Sequence, residues 1–142
     1  MNAVERQTNR KVVQWLEFAD EDLRFAGHGL KIKGDCPCRL IAYHAQQCAE
    51  KHLKAYLVFH GKDFPYTHDL QELLAECAEI AGWPKELKSA RELTYYAIST
   101  RYPGEAEEVT RKEAVSALEL AKKVRDAVRK ALKEEGFRNG NP

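Results

Sequence analysis

Apolar positions recur along this chain at intervals of three and four, the period of an α-helix with one buried face. Val12, Leu16, Ala19, Leu23, Ala26 and Leu30 form the first such row, with Trp15, Phe18, Asp22 and Phe25 as a second stripe beside it. Together they predict a helix over roughly 9–31 whose apolar face is broad enough to meet more than one neighbour. Gly34, Asp35 and Pro37 mark a turn, and a second helix is predicted from Arg39 to His60, stopped by Gly61. Thr67 is the candidate N-cap of a third, with Asp69 and Glu72 in its first turn, where carboxylates complement the helix dipole. Its buried face is Leu70, Leu73, Leu74, Cys77 and Ile80, and Gly82 ends it. Pro84 suits the first position of a fourth helix, with Leu87, Ala90, Leu93, Ala97 and Ile98 inward and Pro103-Gly104 as its stop. Thr110 and Glu113 spell a capping box. It opens a last helix to about Glu135, with Val115, Leu118, Ala121, Val124, Val128 and Leu132 inward. Residues 136–142 read as a frayed tail. No period-two run is long enough for a strand. The expected fold is all-α: a five-helix, largely antiparallel bundle, one domain over 1–142 with its core at about 10–135.

Charge and composition narrow the function. With 142 residues the chain can bury a core of its own, and a net charge of +1 gives no global signal for nucleic acid or membrane. Any polyanion site must then be a local cluster. No apolar run approaches the roughly 20 residues of a membrane span, and the polar N-terminus lacks the apolar core of a signal peptide. Both point to a cytoplasmic protein with no membrane contact. There Cys36, Cys38, Cys48 and Cys77 are expected to stay reduced. Cys36-Pro37-Cys38 is spaced too tightly for a zinc knuckle. Cys48, His44 and His52 fall four apart, so they suit a metal on one helix face or small thiols beside helix-face histidines; the second is the commoner use. We assign no metal and no cofactor.

Chemistry concentrates in Tyr43 to Leu70. At about 100° per residue, His44, Gln47, Lys51 and Lys54 fall within roughly 80° of one another on the second helix. Ile41, Ala45, Cys48, Ala49, Leu53 and Tyr56 lie on the opposite side. Two lysines and a histidine suit a phosphate; equally, the stripe suits a solvated face, and Glu50 is placed to pair with Lys54. His68, beside the third helix's first backbone N–H groups, suits an anion or a structural hydrogen bond. Arg101, with Tyr102 next to it, suits a phosphate ligand or a cap on the fourth helix. There is no glycine-rich phosphate loop, nucleophile elbow or His-Glu-x-x-His.

The run Tyr43-His44-Ala45-Gln46-Gln47-Cys48-Ala49-Glu50-Lys51-His52-Leu53-Lys54 resembles a HEPN (higher eukaryotes and prokaryotes nucleotide-binding) domain. So do Thr67-His68-Asp69-Leu70, Arg101-Tyr102-Pro103-Gly104, and Ala19, Asp22 and Leu23 on the first helix. The resemblance spans about 10–130. It implies a helical bundle that pairs as a homodimer, binds nucleotide or RNA, and partners a minimal nucleotidyltransferase as toxin and antitoxin. The candidate ligand-binding residues are His44, Gln47, Lys51, Lys54, His68, Arg101 and Tyr102. Many members are metal-independent ribonucleases with an Arg and a His that have four to six residues between them. After Arg101 the corresponding positions are Ala106, Glu107 and Glu108. Arg39 and His44 fit the spacing by letter, but in the second helix. Catalytic candidates are therefore Arg101 and His44, without the family's intact pair. Three readings stay open: a binding and interaction module, a ribonuclease toxin with a non-standard pair, and a ligand-free scaffold.

Overall fold

The computed structural model describes residues 1–98 and 108–138, and among them every regular element is helical. Helix α1 (Ala3–Gly29) starts earlier than its apolar row predicts. Asn2 caps it: the Asn2 side chain accepts from the Glu5 N–H at 2.8 Å, and the Asn2 N–H donates to the Glu5 carboxylate at 3.1 Å. That capping box adds about 1 kcal/mol and carries the helix back through a polar first turn. Helix α2 (Cys38–Phe59) is the central element, with Ile41, Ala45, Cys48, Ala49, Leu53 and Tyr56 all buried. Gly61 (φ 63°) stops it: the Gly61 N–H bonds the Val58 carbonyl and the Lys62 N–H bonds the Leu57 carbonyl. This satisfies two end carbonyls in a conformation glycine adopts without strain.

Helix α3 (Leu70–Ala78) is capped by Asp69, whose carboxylate accepts from the Gln71 N–H at 2.9 Å. Thr67, expected in that role, sits two residues too early and accepts from the Asp69 N–H instead. The predicted fourth helix divides into a 3-10 segment, Trp83–Leu93, and a short α4, Thr94–Ile98. Leu87 leaves helical geometry inside the first (φ −107°, ψ 25°). The predicted stop at Pro103-Gly104 lies outside the described residues. Helix α5 (Arg111–Glu134) opens on the Thr110–Glu113 capping box and buries Leu118, Ala121, Val124, Val128 and Leu132. Phe137, read from sequence as part of a frayed tail, is buried against Phe59 at 6.1 Å. Gly136 (φ 98°) turns the chain back to place it there.

The core lies between α1, α2 and α5. Gly29 faces Ile41, Asp22 meets His44 and Lys51, and Trp15 meets Lys54, so α1 runs antiparallel to α2. Arg111 reaches the Leu30 carbonyl and Arg129 reaches Asp20, so α1 is antiparallel to α5 as well. Tyr56 bonds Glu135 near the ends of α2 and α5, which therefore run in the same direction. At Gly29 a Cβ would lie 2.7 Å from Ile41 Cγ1, so glycine sets how closely α1 approaches α2. No helix among the described residues is long and apolar enough to cross a membrane.

Candidate functional site

The stripe predicted on α2 is real as a row, but it faces α1 and the loop before α3. Two carboxylates organise it. Asp22, one turn before Phe25 on α1, accepts from Lys51 Nζ at 2.6 Å and meets His44 Nδ1 at 2.8 Å. Glu50, on α2 itself, accepts from Lys54 Nζ at 3.0 Å and Gln46 Nε2 at 3.0 Å, and meets His68 Nδ1 at 2.8 Å. Gln46 Nε2 also donates to the His68 carbonyl, and Gln47 donates to the Gln46 side chain at 2.7 Å.

Lys54 departs furthest from the sequence reading. The helical period puts it on an open basic stripe; its residue exposure is 8%. Its ammonium lies 5.5 Å from the Trp15 ring centroid and 5.4 Å from that of Phe64, paired to Glu50. The i, i+4 partner that the sequence offers as the bland alternative therefore holds it. Burial alone would raise the Glu50 carboxyl, but hydrogen bonds from His68, Gln46 and Lys54 outweigh it and hold the group below its ordinary range. His68 makes the structural bond rather than presenting a helix end to an anion. Lys51 and Lys54 each have a carboxylate partner, so neither offers an uncompensated charge.

His44 differs from the lysines. Its side chain is 26% exposed, its ring packs edge-on to Phe25 at 4.8 Å, and Asp22 holds Nδ1. In the tautomer that donates Nδ1–H to Asp22, Nε2 keeps its lone pair, as in a positioned general base. Arg39 is five residues earlier, about 140° around the helix, so the Arg39/His44 match by letter does not share a face. Arg101 and Tyr102 lie outside the described residues.

A thiol–imidazole pair lies in the interior. Cys48 Sγ lies 3.5 Å from His52 Nδ1, which is also 2.9 Å from the Cys48 carbonyl oxygen, while His44 turns away toward Asp22. Burial pushes the Cys48 thiol up to about 12 and His52 down to about 4. Among the described residues no three His, Cys, Asp or Glu side chains converge as a metal set.

Phe18 and Phe25, one heptad apart on α1, are 51% and 60% exposed, while Trp15 from the same stripe packs on Phe64. Phe25 continues into a hollow of 210 Å³ with Ile32, Pro37 and Leu40. A broad apolar surface thus abuts His44.

A HEPN domain model matches residues 12–131. The chain belongs to the HEPN domain family. Membership supports a role within a nucleotide-binding, ribonuclease-like superfamily. Among solved structures, the protein TT1696 from Thermus thermophilus is similar at 32% identity and a TM-score of 0.74, the match covering 84% of this chain and 97% of that one. No curated protein matches the sequence. In this HEPN chain the family-like letters of α2 serve first as the polar seam to α1 and the α3 loop. Sequence reasoning missed one basic feature: Lys85, Lys88 and Arg91 share a groove with α3. The signal was their spacing of three, which aligns side chains in a 3-10 segment but drifts around an α-helix.

Proposed function

We propose that this HEPN protein is a nucleotide- or RNA-phosphate-binding and interaction module that works as a homodimer and pairs with a minimal nucleotidyltransferase in a toxin–antitoxin system. The observation that carries it is the junction of exposed Phe18, Phe25, Ile32 and Leu40 with the Asp22-held His44. Apolar surface rimmed by polar groups marks an interface. A two-fold contact over it sets a His44 from each copy at the edge of the seam. Lys51 and Lys54 are neutralised by Asp22 and Glu50, so the charge that meets phosphate falls to Arg101, assigned on sequence grounds with Tyr102 beside it.

In light scattering at micromolar concentration the wild type should have the mass of a dimer and Phe25→Asp that of a monomer. A wild-type monomer would sink the assembly. Labelled RNA or nucleotide should bind with an affinity that falls steeply with salt. Arg101→Ala should weaken binding about tenfold or more, the loss expected for a charged hydrogen bond. Unchanged binding would remove Arg101 from the site. Co-purification with a co-expressed nucleotidyltransferase tests the partner.

The Asp22–His44 geometry favours a second reading, a metal-independent ribonuclease with His44 as base and Arg101 as the phosphorane's cation. It lacks a histidine at the family spacing: positions 106–108 are Ala, Glu and Glu, and a carboxylate there repels the phosphate. Each positioned acid or base is worth about 100- to 10,000-fold, so activity of the isolated protein should be weak or absent. RNA cleavage in EDTA that both His44→Ala and Arg101→Ala abolish would establish this reading instead.

A further inference from the structure

A second basic surface lies away from α1. The 3-10 segment Trp83–Leu93 packs beside α3, and between them runs a groove of 360 Å³. One wall carries Lys85, Lys88 and Arg91; Gln71, Leu74 and Ala78 of α3 stand opposite. All three cations are exposed, and among the described residues none forms an ion pair with a carboxylate. Among the described residues no acidic side chain lines the groove.

Exposed cations are common, and three of them do not by themselves make a site. The arrangement here is what matters. In a 3-10 helix side chains three apart eclipse one another, at about 6 Å per turn. The same spacing on an α-helix would drift about 60° per step and fan the charges apart. Lys88 and Arg91 follow the 3-10 rule, and the kink at Leu87 still leaves Lys85 on the same wall. The result is a column of positive charge along an open channel. Its repeat resembles the spacing of successive phosphates on an extended strand. Leu74, Ala78 and Pro84 give the channel a smooth apolar floor, and the Gln71 amide can serve a ribose hydroxyl. Its walls are helical and present no free strand edge to an extended peptide. No aromatic ring among the described residues lines it, so recognition is of the backbone rather than by base stacking.

We propose that this groove is a separate anion-binding surface that seats the sugar–phosphate backbone of single-stranded RNA, with Lys85, Lys88 and Arg91 each meeting a phosphate. The assignment goes beyond the α1–α2 reading and rests on none of its residues. Binding is tolerant of sequence and strongly dependent on salt.

The test is fluorescence anisotropy of a short labelled oligouridylate over a salt series on the full chain. Three contacts to a single strand contribute a log–log salt slope of about −2. The Lys85→Ala/Lys88→Ala/Arg91→Ala variant should bind about tenfold or more weakly at about 50 mM salt and lose about two from the slope. Lys122→Ala/Lys123→Ala/Lys130→Ala, three exposed positions on α5, makes the same change in net charge and should bind as wild type. Circular dichroism should show all variants folded, since every substituted side chain is exposed. An unchanged groove variant overturns the proposal, as does an equal loss in both triple variants, which would reduce the effect to net charge. Oligoglutamate binding more tightly than the oligouridylate, and lost with the groove variant, would overturn the choice of RNA. Loss confined to Arg101→Ala would remove the groove and leave the α1–α2 reading standing; loss confined to the groove variant would do the reverse.

Discussion

The two basic regions of this molecule look alike as letters and differ in what their charges do. On α2, Lys51 and Lys54 are held by Asp22 and Glu50 within the packing of α1, α2 and the loop before α3. Beside α3, Lys85, Lys88 and Arg91 line an open groove with no carboxylate on its walls among the described residues. The first set is part of what fixes the bundle; the second contributes potential to the outside. A cation paired by a buried carboxylate has little field left for a ligand, whereas an unpaired one adds directly to steering and phosphate contact.

Breaking the paired region should have the largest effect. Glu50→Ala leaves the Lys54 ammonium between Trp15 and Phe64 without its counter-ion, and strips His68 and Gln46 of their acceptor. Removing one partner of a buried pair costs about 3–5 kcal/mol, which should appear as a fall in the urea midpoint with an unchanged slope. A loss under about 1 kcal/mol would mean that water replaces Glu50 and that the pair is effectively a surface one.

Acid should act through the buried ring next. His52 has its Nδ1 on the Cys48 carbonyl and its Nε2 without a partner among the described residues. Burial drives its pKa from the ordinary 6.5 down to about 4 in the folded protein. Between those values the unfolded chain binds the proton and the folded one does not. Stability must therefore fall as pH falls through that window, by about 3 kcal/mol at its full extent. His52→Phe should flatten urea midpoints measured across the window. Glu50 adds a separate loss at lower pH, because its depressed carboxyl contributes above the ordinary 4.5 and ceases to as pH falls through the folded value.

Asp22→Asn should cost less, about 1–2 kcal/mol, because Lys51 and His44 are partly exposed and can reach water. It should also slow any His44-dependent activity with RNA affinity unchanged, whereas Arg101→Ala should weaken the affinity, which separates an orienting carboxylate from a phosphate-binding cation.

Smallest of all, each single alanine at Lys85, Lys88 or Arg91 should change stability by no more than about 0.5 kcal/mol in thermal melts. A larger loss at any of them would show that the groove wall supports the fold and would erase the contrast with α2.

Helix existence was legible because periodicity, caps and stops are local. The Thr110–Glu113 box, the glycine stop at Gly61 and the buried row of α5 depend on neighbours within a few residues, and the structure has them. Where α1 begins and which residue caps α3 were missed through equally local competitors: the Asn2 box outweighed a polar first turn, and Asp69 stood nearer the helix than Thr67. The 3-10 geometry of 83–93 was not readable, since Pro84 and its apolar spacing also fit an α-helix.

The site divides along the same line. A single stripe of His44, Gln47, Lys51 and Lys54 follows from α-helical period alone, and the sequence determined it. Glu50 holds Lys54 from one turn away, but whether the rest of the stripe is a phosphate cradle or an internal seam depends on Asp22, 22 residues from His44 and 29 from Lys51 along the chain. No local rule sets such distances; only the packing of α1 and the α3 loop onto α2 brings those charges within reach. Tertiary structure likewise decided that Lys85, Lys88 and Arg91 meet no carboxylate among the described residues, because charge is cancelled by whatever lies a few ångströms away in space, not by what is near in sequence.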